Sequence, residues 1–233
     1  MADKIGGVAT WSFTRIGGLG AFGFALIIVV ANLILVPAGM PQVGAGIDEV
    51  NTFFTTKAGA AELSSAFPPV AWVCLVVFGA AAVATLWPRE RTTGSAWCLV
   101  GFAGALLQTG TFVIVVAARL AMSTTTDHSS TGTAGIWAMH DALFTLNGTF
   151  LALAMLGFSV AGLRTGLIRP WHAILGLICA AGQLVSSILT PLVIDHAGPL
   201  GLISLISWLG WVVWLGAWGV TLFRLEPAVH ATT

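Results

Sequence analysis

Apolar residues run along this chain in six blocks, near residues 16–38, 66–87, 95–121, 135–163, 171–194 and 200–223, with short polar stretches between them. Each block has roughly 20 residues or more, the length an α-helix needs to cross hydrocarbon. A backbone exposed to lipid must satisfy its own hydrogen bonds, so all six blocks are predicted to be helices. None alternates strictly between apolar and polar positions, as a strand of an outer-membrane barrel would.

Two of the connecting segments carry a pattern of their own. The connection 39–65 opens out of "PAGMPQVGAG" (37–46), a Pro/Gly stretch unsuited to regular structure. "IDEVNTFF" follows, with Ile47, Val50 and Phe54 on one helical face, which predicts a short interfacial helix. The segment "STTTDHSSTGT" (123–133) is polar throughout and reads as a mobile loop. The expected fold is therefore an all-α integral membrane protein. It is a single domain over 1–233, a bundle of six transmembrane helices with a short interfacial helix in its first outer loop.

Composition sharpens this picture. The 233 residues are 57% hydrophobic and 8% charged, whereas a soluble domain is usually about 25% charged. Net charge is zero and no basic patch offers a nucleic-acid surface. Lys4, Arg15, Arg89, Arg91, Arg164, Arg169 and Arg224 fall on one side of the predicted bundle, and only Lys57 and Arg119 on the other. The positive-inside rule then places both termini in the cytoplasm of a multi-pass plasma-membrane protein. Trp11, Trp87, Trp97 and Trp171 would form the inner aromatic belt, with Trp72 and Trp137 nearer the outer interface. The first block follows a charged lead without a small-residue cleavage site, which reads as a retained anchor. In its composition the chain resembles six-span proteins of GC-rich bacteria, a likeness that no motif carries.

Polar residues inside spans are costly and mark either function or helix–helix adhesion. Gln108 and Gln183 sit near the middle of their spans among small and hydroxyl residues. Together with Asn32 they are expected to form a polar seam. The two glutamines also belong to an internal echo at an offset of 75 residues, which pairs Arg89 with Arg164, Gly101 with Gly176, Ala105 with Ala180 and Gln108 with Gln183. A repeat of this kind resembles those of some transporters.

The most unusual stretch is "IWAMHDALF" (136–144), where His140 and Asp141 enter a span together. At 1.5 Å per residue they lie ~6–8 Å below the predicted helix start. In one reading Asp141 caps the helix dipole and pairs with Arg119. In the other, the acid–His doublets Asp127-His128, His140-Asp141 and Asp195-His196 line an outer site, with Asn147 on the same helical face as His140. Imidazole and carboxylate suit metal binding or acid–base chemistry, which makes His140, His196 and Asp195 the weak metal candidates. Adjacent helical residues point about 100° apart, so a doublet gives one ligand to any centre. Haem would need two facing imidazoles, for which His140 and His196 are the pair at similar depth. His172 reads as structural. Cys74, Cys98 and Cys179 form no metal or disulfide pattern.

On the last span Trp211, Trp214 and Trp218 share a stripe, read either as packing bulk or as an aromatic wall for a flat apolar ligand. The candidate ligand-binding set is thus Arg119, His140, Asp141, Asn147, Asp195, His196 and the three tryptophans. The expected function is that of a non-catalytic membrane protein: a subunit of a larger complex, or a binder of a lipophilic small molecule. The expected partners are membrane lipids and other subunits or further copies of the chain, and no cofactor is named. The first alternative is an outer-face enzyme acting through His140 and Asp141 on a lipid or isoprenoid-like substrate. The second is a small transporter, against which stand the expected lack of a buried ionisable relay in the spans and of a pair of spans broken by Gly or Pro at matching positions.

Overall fold

The computed structural model describes residues 11–125, 130–195 and 200–225, and all regular structure among them is helical. Among the described residues ten helices follow one another: α1 (Phe13–Ala38), α2 (Ile47–Thr56), α3 (Ala58–Ser65), α4 (Pro68–Thr92), α5 (Trp97–Thr124), α6 (Ser130–Leu146), α7 (Gly148–Arg164), α8 (Pro170–Ile188), α9 (Thr190–Asp195) and α10 (Gly201–Arg224). Six helical runs are long and apolar enough to cross a membrane. They are α1, α3–α4, α5, α6–α7, α8 and α10, so the six expected spans are present.

The spans form a ring in chain order, α1–α4–α5–α7–α8–α10, which closes where α10 packs against α1. Glycine lies at each of its six seams. A Cβ on Gly20 would sit 2.6 Å from the Cys74 carbonyl oxygen of α4, and one on Gly18 2.7 Å from that of Gly219 in α10. Gly79 meets Phe102 across α4–α5, Gly101 and Gly104 meet α7, Gly148 meets α8, and Gly182 and Gly210 join α8 to α10. Lipid tails are as apolar as the helices they surround, so association must come from close contact, and glycine brings backbones close enough.

Aromatic side chains fill the interior of the ring. Phe78 of α4, Phe158 of α7 and Trp218 of α10 form a triangle of edge-on contacts, with ring centres 5.6 to 6.3 Å apart. Leu, Val and Ile side chains on α1, α4, α5, α8 and α10 face outward. Trp11 beside Phe223 brings the start of α1 to the end of α10, so the first and last spans finish at the same, arginine-rich end of the ring.

Three boundaries differ from the sequence expectation. The 39–65 segment carries α3 as well as the expected short helix, because "AGAAELSS" is a helix-forming run separated from α2 only by Lys57. Of the polar 123–133 stretch, residues 123–124 belong to α5 and 130–133 to α6, and 126–129 lie outside the described residues. Two neighbouring spans are also interrupted, the fourth at Asn147 and the fifth at Leu189, where uninterrupted spans were expected. Pro191 has no N–H to offer the Ser187 carbonyl, and the Thr190 hydroxyl donates to that oxygen instead at 2.6 Å. The interruptions face each other, with the Ser187 hydroxyl donating to the Thr145 carbonyl at 3.0 Å.

α2 and α3 lie over the end of the ring opposite the arginine-rich one, against α1, α5 and α6. Val50, Phe53 and Phe54 of α2, Ala61 of α3, Leu35 of α1, Met122 of α5 and Trp137 of α6 make a second apolar core there. Gly39 ends α1 in the left-handed region (φ 82°), with the amides of Gly39 and Met40 closing back on Val36 and Leu35.

The ring geometry predicts unequal effects for two glycines of α5. Gly104→Leu would drive a side chain into the α7 backbone, whereas Gly110→Leu meets open space. The first should lower stability in detergent by about 1–3 kcal/mol or more and the second by little. Thermal melts of both variants in the same detergent check this.

Candidate functional site

The best-developed polar cluster lies beneath the capped end of the ring. α5 supplies Arg119, one turn from its end, and α6 supplies His140 and Asp141. α6 is already helical at Ser130, the first residue described after 126–129, so ten residues of helix (~15 Å) precede His140 and the predicted start near residue 135 is too late. His140 and Asp141 are both 2% exposed.

These groups form a linear relay. Arg119 Nε donates to His140 Nε2 at 3.0 Å. A guanidinium has only donors, so Nε2 accepts and the imidazole hydrogen sits on Nδ1. That hydrogen goes to Asp141 Oδ1, also at 3.0 Å. The second carboxylate oxygen, Oδ2, accepts the backbone N–H of Gly44 at 2.9 Å. Gly44 has φ 84°, a conformation costly for other residues, and through this bond the Pro/Gly segment is tied to α6. The relay corrects the direct Arg119–Asp141 pairing expected from sequence: the imidazole stands between the two charges.

Aromatic rings fix the imidazole from both sides. Trp137 stacks on it at 4.7 Å with an interplanar angle of 12°, and Phe144 lies on the other side at 5.9 Å and 15°. The three residues are spaced three and four apart on α6, one helical face. Trp137 is 5% exposed and belongs to the second apolar core, so it is not part of an outer aromatic belt. The Arg119 guanidinium lies over Phe112 and Phe144, 6.0 and 5.8 Å from their ring centres. Its Nη groups donate to nothing among the described residues.

Further along the α5–α7 seam, the polar residues are less well matched. Asn147 and Gln108 are 5% and 6% exposed, and neither Asn147 Oδ1 nor Gln108 Oε1 has a hydrogen-bond partner among the described residues. Gln108 lines an internal cavity of about 10 Å³ beside Phe78, Leu151, Trp211 and Trp214, room for about one water. Gln183 is engaged with α10: its Nε2 donates to the Ser204 carbonyl at 3.0 Å, and Ser204 Oγ donates to its Oε1 at 3.3 Å. Asn32 departs from the expected seam. It lies on an exposed face and donates to Ile28 of its own helix at 2.8 Å.

Trp211, Trp214 and Trp218 point into the ring, at 3%, 1% and 0% exposure. Trp214 Nε1 donates to Ser159 Oγ at 3.0 Å, and its carbonyl accepts from Nε2 of the buried His172 at 2.9 Å. The Asp195 backbone ends α9, while His196 and the Asp127-His128 doublet lie outside the described residues. Among the described residues no three His, Cys, Asp or Glu side chains converge as metal ligands.

One buried carboxylate has no counterpart in the sequence expectation. Glu90, at the end of α4 and 2% exposed, folds back over the turn to α5. Oε1 accepts from Ser95 Oγ (2.9 Å) and the Trp97 amide (3.1 Å), and Oε2 from the Cys98 amide (2.7 Å). It caps α5 from outside, because Ala96 at the cap position has no side-chain acceptor. A Glu five residues before a Ser, with a helix beginning just beyond, was the available signal.

No protein-family model matches the chain, and no curated protein or solved structure matches it either.

The relay predicts a three-way coupling. Arg119→Ala and Asp141→Ala should be non-additive by about 0.5–3 kcal/mol in thermal stability while His140 is present. With His140→Phe, which keeps the aromatic stack and removes both hydrogen bonds, the coupling should fall toward zero. A coupling that survives His140→Phe would mean that the two charges interact directly.

Proposed function

We propose that this chain is a non-catalytic plasma-membrane protein that holds an amphiphile with an acidic head at the capped end of its ring, with both termini cytoplasmic. The observation that carries this reading is the half-committed guanidinium of Arg119. One of its nitrogens is fixed by His140, and the planar fork of the other two donates to nothing among the described residues. Such a fork matches a carboxylate or phosphate, which it can engage with two parallel hydrogen bonds. Phe144, over which it lies, is exposed, as are Leu120 and Met139, the chain neighbours of Arg119 and His140, a setting suited to an apolar tail entering from the lipid side.

The same geometry weighs against the enzyme reading. A general base needs a free lone pair, and His140 Nε2 already accepts from Arg119. Each Asp141 oxygen already holds a hydrogen bond, and both side chains are enclosed. The relay therefore serves as a fixed brace that orients Arg119. The excess of arginine at the opposite end supports the cytoplasmic placement of the termini.

Oleate and oleyl alcohol, which differ only in the acidic head, test the proposal on full-length protein in lipid nanodiscs. Wild type should bind oleate about tenfold or more tightly than the alcohol, the effect of charge-assisted hydrogen bonds. Arg119→Gln should bring the ratio near one while leaving alcohol binding unchanged. A wild type with no preference for the acid overturns the proposal without reference to any variant.

A further inference from the structure

We propose a second site at the opposite end of the ring: the groove between the 93–97 turn and the end of α7 holds the phosphate of an anionic phospholipid head group. The groove has a volume of about 300 Å³ and is bounded by the turn, Val100 and Arg164. It involves none of the residues of the Arg119 site, so it stands or falls separately.

Three observations define the ligand chemistry. Arg164 is the last residue of α7, its side chain is exposed, and no carboxylate pairs with it among the described residues. The acid nearest in sequence to the turn, Glu90, is turned inward and its oxygens are occupied by Ser95, Trp97 and Cys98. The Thr93 and Ser95 hydroxyls likewise donate inward, to the Glu90 carbonyl and carboxylate. The donors left among the groove-lining residues are the Arg164 guanidinium and the Ala96 amide, neither of which has an acceptor among the described residues. A cluster of donors with a cation calls for an anion. Arg89, whose Nη1 donates to the Thr165 carbonyl at 3.4 Å, adds positive charge and ties the end of α4 to that of α7.

The surroundings favour a lipid over a free anion. Leu99, Val100 and Leu163, at 42%, 36% and 41% exposure, are outward-facing apolar side chains next to the groove in sequence. They belong to the apolar spans α5 and α7, while Arg164 stands at the terminus of α7. Acyl chains would lie along this flank with the phosphate at Arg164, as in basic pockets between membrane helices that bind anionic head groups.

Native mass spectrometry of delipidated full-length protein, titrated with phosphatidylglycerol or phosphatidylcholine of identical chains, tests the assignment. Wild type should retain phosphatidylglycerol about tenfold better than phosphatidylcholine. Arg164→Gln should lose most of that preference and Arg119→Gln none. Equal phosphatidylglycerol binding by wild type and Arg164→Gln would overturn the site. So would its full displacement by millimolar inorganic phosphate, which would identify the occupant as a soluble anion. Loss in Arg119→Gln but not in Arg164→Gln would assign the lipid to the other end.

Discussion

Within hydrocarbon, two apolar helices gain little from hiding their side chains from each other, since lipid is an equally good solvent for them. The rest of this structure follows from that constraint. What joins the spans must be contact closer than lipid can make, or hydrogen bonds that lipid cannot supply. The ring uses the first along its length, through Gly17 and Gly20 against α4, Gly101 and Gly104 against α7, and Gly182 and Gly210 between α8 and α10. Hydrogen bonds between helices are few: Gln183 with Ser204, Trp214 with Ser159 and Ser187 with Thr145 lie along the spans, while those of the two buried carboxylates lie where the chain turns.

Among the described residues, each end has one buried carboxylate that organises a turn. Glu90 gathers the first amides of α5 and so fixes the α4–α5 turn. Asp141 gathers Gly44 and His140, and so fixes the cover formed by residues 39–65 to α6. Each carboxylate is enclosed with its oxygens satisfied, the condition under which a buried charge is tolerable. Between the two ends, Gln108 and Asn147 keep unpartnered oxygens along the α5–α7 seam.

The spans were legible because apolar length is a property of composition, and lipid punishes any alternative to a helix. The α2 helix was legible from the spacing of Ile47, Val50 and Phe54. The interruption at Asn147 was not, because an Asn between Leu and Gly in an apolar run leaves a hydropathy profile unchanged. Partners lying far apart in sequence were equally invisible. Nothing near Gly44 announces a residue 97 positions away, and nothing near Arg119 shows that it meets Asp141 through an imidazole. The sequence brought Arg119, His140 and Asp141 together as a group but not their order. The stripe of Trp211, Trp214 and Trp218 was visible as a periodicity, yet only the closed ring determines that it faces inward. Asn32 shows the reverse: a polar residue in a span suggests an interhelical bond, while its own backbone at Ile28 is the nearer acceptor.

At the capped end, sequence, packing and proposed function meet in one imidazole. Trp137 and Phe144 hold its plane, Asp141 sets its tautomer, and its remaining lone pair holds Arg119 Nε. Nitrogen-15 NMR of histidine-labelled protein in lipid, with the His140 signals assigned by difference from His140→Phe, tests this most directly. A neutral ring with its hydrogen on Nδ1 and an accepting Nε2 is the predicted result. A hydrogen on Nε2 would contradict it, because that nitrogen would then have no lone pair for Arg119, and the brace on which the acidic-amphiphile reading rests would be absent.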